Sequence, residues 1–137
     1  MSAELLPQTV LSKALVIGKL YAWQKNDVEE AILAAKHQEL ATVYGNVQFH
    51  LPRGVYELYW LSFDPAEQLD SENWQDYVTR SANECISNFN DMCKTTDFVQ
   101  LGKEYASTIR DVAETEDISA YLWFELCFIT DEKYHHT

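Results

Sequence analysis

The chain is short of backbone breakers, of positive charge and of cysteine. Only four glycines and three prolines are spread over 137 residues. That leaves few turns, and there is no linker, internal repeat or low-complexity segment. Lysine and arginine number 10 against 22 aspartates and glutamates. This shortage argues against direct nucleic-acid binding, because a phosphate backbone needs a basic footprint. The three cysteines, Cys85, Cys93 and Cys127, cannot all pair, and none stands in a C-x-x-C. Reduced thiols in a cytoplasm are the simplest account. The N-terminus has no charged region followed by an apolar stretch and a cleavage site. No apolar run approaches the ~18 residues of a membrane span, so no membrane contact is expected.

Signature motifs are missing too. There is no G-x-G-x-x-G, P-loop, H-E-x-x-H, EF-hand loop or G-x-S-x-G. Gly18-Lys19-Leu20 lacks the rest of a phosphate loop. No cofactor, metal site or catalytic residue is therefore assigned. His135 and His136 are adjacent near the C-terminus, but a metal site needs three or four ligands of defined geometry.

What is present is aromatic side chains and negative charge. Four Trp, eight Tyr and six Phe argue for an ordered core. The length suits one domain, residues 1–137. The net charge of −12 is uneven: residues 1–60 carry about −1 and residues 61–137 about −11. Such a charge keeps a protein soluble, and it also suits a basic partner.

The most apolar run is Ile118 to Thr130. Its even positions (Ile118, Ala120, Leu122, Phe124, Leu126, Phe128) form an apolar face. Its odd positions (Ser119, Tyr121, Trp123, Glu125, Cys127, Ile129) are aromatic and polar. This alternation predicts a strand between two different environments, with helices on the even side.

Earlier in the chain, Val10, Ala14, Ile17 and Tyr21 have helical spacing and predict a helix over 5–23, although Ala14–Leu20 also reads as a buried strand. Asp27 and Glu30 have the spacing of a capping box opening a second helix that fades near Thr42. Val43–Leu51 and Val55–Phe63 flank Pro52-Arg53-Gly54 and predict a β-hairpin. A two-residue loop pairs Phe49 with Tyr56 and puts Glu57 beside Gln48 and His50 on the outer face. A three-residue loop with Gly54 in a bulge turns Glu57 toward the core. The first is preferred, because a buried Glu needs a partner. Helix three is predicted over 71–93, capped by Ser71 or Asp70, with Trp74, Tyr77, Ser81, Cys85, Phe89 and Met92 on its apolar side. Helix four is predicted over 97–114, and Asp131–Thr137 forms a polar tail. The sum is an α+β fold of order ααββααβ: a small antiparallel sheet of about three strands, with helices packed on one face.

Three sets of residues are candidate sites. The carboxylates Glu72, Asp76, Glu84, Asp91, Asp97, Glu104, Asp111 and Glu114 on helices three and four form one; they either recognise a basic groove or simply solvate the helices. Glu57 and Glu125 interrupt aromatic strands. With His50 and Tyr59 they make a possible pocket between helices and sheet, since paired carboxylates in an apolar setting can serve as acid and base. Tyr44, Tyr59, Tyr121 and Trp123 are candidate hot spots on the sheet. The cysteines are read as core packing.

These features point to a cytoplasmic acidic protein-binding module without catalytic activity, acting on a basic or nucleic-acid-binding protein. An inhibitor, an immunity protein or a chaperone-like adaptor has this size and charge. A small-ligand protein or enzyme with a carboxylate pocket is the alternative. A homo-oligomeric subunit is the third reading, because a small sheet has two open edges and aromatics to hide, so a homodimer is considered.

Overall fold

Antiparallel pairing builds one five-stranded sheet in the computed structural model, which describes residues 2–131. Its strands are β1 (Leu15–Ile17), β2 (Leu20–Trp23), β3 (Ala41–Leu51), β4 (Gly54–Ser62) and β5 (Leu122–Ile129), in the spatial order β1-β2-β5-β3-β4. The helices are α1 (Gln8–Leu11), α2 (Val28–His37), α3 (Trp74–Thr95), α4 (Phe98–Tyr105) and α5 (Ser107–Ala113). The class is α+β. The predicted tail, including His135 and His136, lies outside the described residues.

The expectation of about three strands fails at the N-terminus. In place of a helix over 5–23 there is a single turn of helix, α1, followed by the β1–β2 hairpin. Ile17 pairs with Leu20, so Gly18-Lys19 is the two-residue loop. Gly18 has φ +58°, the conformation that hairpin turns demand and that glycine accepts without a Cβ clash. The apparent helical stripe came from separate elements: Val10 lies on α1, Ile17 on β1 and Tyr21 on β2. Val10 on α1 is buried, and its carbonyl accepts the indole N–H of buried Trp23 on β2 at 3.0 Å.

The last strand of the chain is the centre of the sheet. β5 pairs with β2 on one side (Ala22 with Glu125, Trp23 with Phe124) and with β3 on the other. The even residues Leu122, Phe124, Leu126 and Phe128 are buried in the main core. Phe124 sits among the rings of Phe63, Phe89 and Phe98, with centroids 6.2, 5.0 and 5.4 Å away. Ile118–Tyr121, expected as the start of the strand, is instead a 3-10 turn opened by Asp117, whose carboxylate accepts from the Ser119 N–H at 3.1 Å.

The β3–β4 turn is the two-residue loop. Leu51 pairs with Gly54, Phe49 with Tyr56 and Gln48 with Glu57. The ladder then slips, and Asn46 pairs with Ser62. The extra residues of β4 bulge out of the sheet, which lets Phe63 fold back over the core. Its backbone N–H reaches the Gly45 carbonyl at 3.0 Å, and its ring lies across Gly45.

The helices differ from expectation mainly at their ends. Asp27 makes no side-chain cap on α2. Asp27 and Glu30 instead hold Lys13, at 3.9 and 3.0 Å, so the capping box is an ion-pair site. The helix stops at His37 rather than near Thr42, because Glu39 takes φ +61° and turns the chain into β3. Asn73, not Ser71 or Asp70, caps α3 by accepting from the Asp76 N–H at 2.8 Å. The single helix expected over 97–114 is broken at Ala106, which is extended. Asp97 caps α4, accepting from Gln100 N–H at 3.1 Å. Gly102 lets α4 approach both the Phe49 ring and Ile109 of α5.

Gly45 is where the sheet allows this close packing. A Cβ there would fall 2.2 Å from the Phe63 ring. That ring cannot retreat, because it is buried against Phe89 and Phe124. Gly45→Ala should therefore cost about 1–3 kcal/mol in urea unfolding, as an overpacked core does. Combined with Phe63→Leu it should cost less than the two single changes added, since they relieve one clash.

Candidate functional site

Alternation along β5 carries the odd residues to the sheet face opposite the helices. There Glu125 stands directly across from Asn46 on β3, and Trp123 across from Gln48. Gln48 in turn stands across from Glu57 on β4. Three strands thus deliver Tyr44, Asn46, Gln48, His50, Glu57, Trp123 and Glu125 to one surface.

Gln48 is the hub. It is 3 % exposed, so its amide needs partners on both ends. Its Nε2 donates to Glu125 Oε1 at 2.7 Å and to Asn46 Oδ1 at 3.1 Å. Glu57 Oε1 lies at 3.5 Å, the long edge of a hydrogen bond. The Gln48 Oε1 faces His50 Nε2 at 2.7 Å. An amide oxygen can only accept, so His50 carries its proton on Nε2. The other Glu125 oxygen accepts the Tyr44 hydroxyl at 3.0 Å. Glu125 is 9 % exposed and, among the described residues, is in no ion pair. Burial and the facing Glu125 carboxylate push the Tyr44 phenol well above its usual range, so it stays a donor. Burial lowers the His50 pKa.

His50, Glu57 and Glu125 are therefore brought together as anticipated, but not in a pocket between helices and sheet. The preferred register puts all three on the far side of the sheet, where Glu57 is exposed, His50 half-buried and Glu125 nearly buried. Tyr59 does not join them. It lies in the β4 bulge, 71 % exposed, against Trp60 and Tyr105 with centroids 5.2 and 6.1 Å away. Gln48 and Asn46 were legible as outer-face residues of β3. Their linking role was not, because it depends on which strand lies beside which.

The acidic helix residues are scattered into different jobs. Glu72 precedes α3, and Glu84 is on it; both grip Arg80, at 2.6 and 2.8 Å. The guanidinium also donates to the Ala66 and Glu67 carbonyls at 3.1 and 3.0 Å. This pins the acidic loop 64–72 onto α3, and the Arg80 hydrogen bond lowers the Glu72 pKa. These two carboxylates are structural. Asp97 is spent on its cap. Asp76, Asp91, Glu104, Asp111 and Glu114 are exposed, and among the described residues none is in an ion pair.

The remaining aromatics separate. Trp123 and Tyr44 flank Glu125, whereas Tyr121 sits in the 3-10 turn and donates its hydroxyl to Glu116 at 2.6 Å. The Tyr59–Trp60–Tyr105 cluster was missed as a unit. Tyr105 falls on the apolar stripe predicted for helix four, and Trp60 lies within the predicted strand Val55–Phe63, so nothing local joins them. Cys85 is buried on α3, with its thiol pushed up to about 12 by burial, so packing is its role. Among the described residues no group of three or more His, Cys, Asp or Glu could hold a metal ion, and no helix is long and apolar enough to cross a membrane.

The His50 environment has a pH consequence. Its folded pKa lies below its unfolded value, so the unfolded chain binds a proton first as pH falls. Its contribution is full above the unfolded pKa and declines as pH falls through about 6.5 toward the folded pKa. The charges facing it, Glu57 on β4 and Glu125 on β5, are reached through Gln48. Between pH 7.5 and 5.5 the wild-type chain should lose more unfolding free energy than His50→Gln. Parallel curves for the two proteins would disprove the assignment.

Comparison with known protein families, curated proteins and solved structures gave no match, so the functional reading rests on the residues of this chain.

Proposed function

We propose that the protein is a cytoplasmic, non-catalytic binding module that engages a basic protein partner through its acidic surface, in the manner of an inhibitor, an immunity protein or an adaptor. One observation carries this reading: the candidate carboxylates do not converge in a closed cavity. Catalysis by paired carboxylates needs an apolar enclosure that splits their pKa values. Glu57, exposed, and Glu125, nearly buried, each reach Gln48 on the outer sheet face, and Asp76, Asp91, Glu104 and Asp111 ride on exposed helix positions. A cavity of about 580 Å³ does exist, lined by residues that include Trp74, Asn73, Asp76 and Asp131. It gathers none of His50, Glu57 or Glu125.

The charge supports the same reading. A net charge of −12 concentrates basic partners and speeds their association. Cys85, Cys93 and Cys127 form no disulfide, which suits a reducing compartment.

Affinity capture from native lysate, followed by mass spectrometry, tests the proposal. One basic protein should be recovered in stoichiometric amount at low salt and be largely released at about 0.5 M salt, where the Debye length is a few ångströms. A turnover abolished by Glu57→Gln or Glu125→Gln would overturn the non-catalytic assignment.

A further inference from the structure

The outer face of the sheet carries two carboxylates, Glu57 and Glu125, and no cation at its paired strand positions. The Gln48 amide nitrogen carries two hydrogens and has three acceptors within 3.5 Å: Glu125, Asn46 and Glu57. Tyr44 supplies one more donor, to Glu125. The paired strand positions of this face on β1, β2, β3, β4 and β5 include no lysine or arginine. The charge of this face is therefore negative, with its centre at Glu57 and Glu125. It is also held in place, because Gln48 and Glu125 are buried in the array and anchored to three strands.

We propose that this face, rather than the acidic helices, is the docking surface for the basic partner. An arginine side chain of that partner would seat over Glu57 and Glu125. The inference rests on the basic-partner reading above and names the surface and the anchoring chemistry. A guanidinium offers five donors in a planar fork, which matches carboxylate oxygens that face no cation. Trp123 and Tyr44 flank the carboxylates and offer flat rings on which the same group stacks. The rim has apolar positions, Leu15 and Ile17 on β1 and Val55 on β4. Ile17 and Val55 are 52 % and 50 % exposed, so the partner gains burial around a polar centre.

A second copy of this chain fits the face poorly. A two-fold dimer places the same patch against itself. Glu57 and Glu125 of each copy would then approach their own equivalents, and like charges opposed across an interface destabilise it. The acidic helices are the weaker competitor, because Glu72 and Glu84 are already neutralised by Arg80.

Titration of the isotope-labelled full chain with a capped tetra-arginine peptide, followed by amide NMR, tests the inference. Shifts should concentrate at 46–50, 55–58 and 123–127 and diminish with added salt. Glu57→Gln, an exposed site whose loss should not unfold the chain, should weaken the peptide about threefold. It should cost more than Asp91→Asn combined with Asp111→Asn. Shifts confined to α3–α5, with Glu57→Gln silent, would overturn the sheet-face assignment and leave the basic-partner reading standing. A monomer that binds the peptide nowhere would sink both. Concentration-dependent shifts at the sheet face without peptide, with a dimer in sedimentation, would identify a second copy as the occupant and overturn the proposal.

Discussion

The two-sidedness of β5 is the constraint on which the rest of this structure depends. It is the central strand of five, so it must satisfy two strand neighbours and two faces at once. Its even side chains fill the space beneath the helices, where Phe124 meets three other phenylalanines. A one-residue slip would carry Phe124 to the open face and drive Glu125 into the core. Burying a phenylalanine is worth about 1.5–3 kcal/mol and burying an unpaired carboxylate is costly, so both terms oppose the slip. The register that results sets Glu125 across from Asn46 and beside Gln48. The polar array on the open face is thus a by-product of how the apolar face packs.

Carboxylates show how far environment separates chemically equal residues. Glu72 and Glu84 close a clasp on Arg80 that ties an acidic loop to α3. Asp97 and Asp117 end runs of unpaired backbone N–H groups at helix starts. Asp27 and Glu30 hold Lys13. Glu125, nearly buried, has hydrogen-bond donors but no cation among the described residues. A net charge counts all of these alike. Once those with structural partners are set aside, exposed negative charge remains at helix positions, in the loop at Glu67 and Asp70, and at Glu57 on the sheet. The two sheet carboxylates, Glu57 and Glu125, are tied to each other through Gln48.

The bulge in β4 and the glycine beneath Phe63 are a second joint of the design. The slip between Gln48 and Asn46 frees several residues of β4 from the ladder. One consequence is that Phe63 reaches the core over Gly45. The other is that Tyr59 and Trp60 leave the sheet and meet Tyr105 at its edge, which blunts that edge against pairing with another strand. Tyr59 was grouped with Glu57 in the sequence because strict alternation puts them on one face; the bulge removes that premise.

Local pattern determined a good part of this protein. The period-2 alternation of β5, the two-residue loop at Pro52-Arg53 and the apolar stripe of α3 were all readable, because each depends on residues close together in the chain. The outer-face placement of Glu57, His50 and Glu125 followed from the same alternation. The N-terminal hairpin was not readable, since Val10, Ile17 and Tyr21 mimic one helical stripe while lying on different elements. Nor was the break at Ala106, where no local breaker stands. Strand order was decided only by tertiary structure, because hydrogen bonding between strands is indifferent to their separation in sequence. That order placed the last strand beside the third and let Gln48 gather two carboxylates from different strands. Sequence determined which side chains face away from the helices; the packing of the core determined which of them meet.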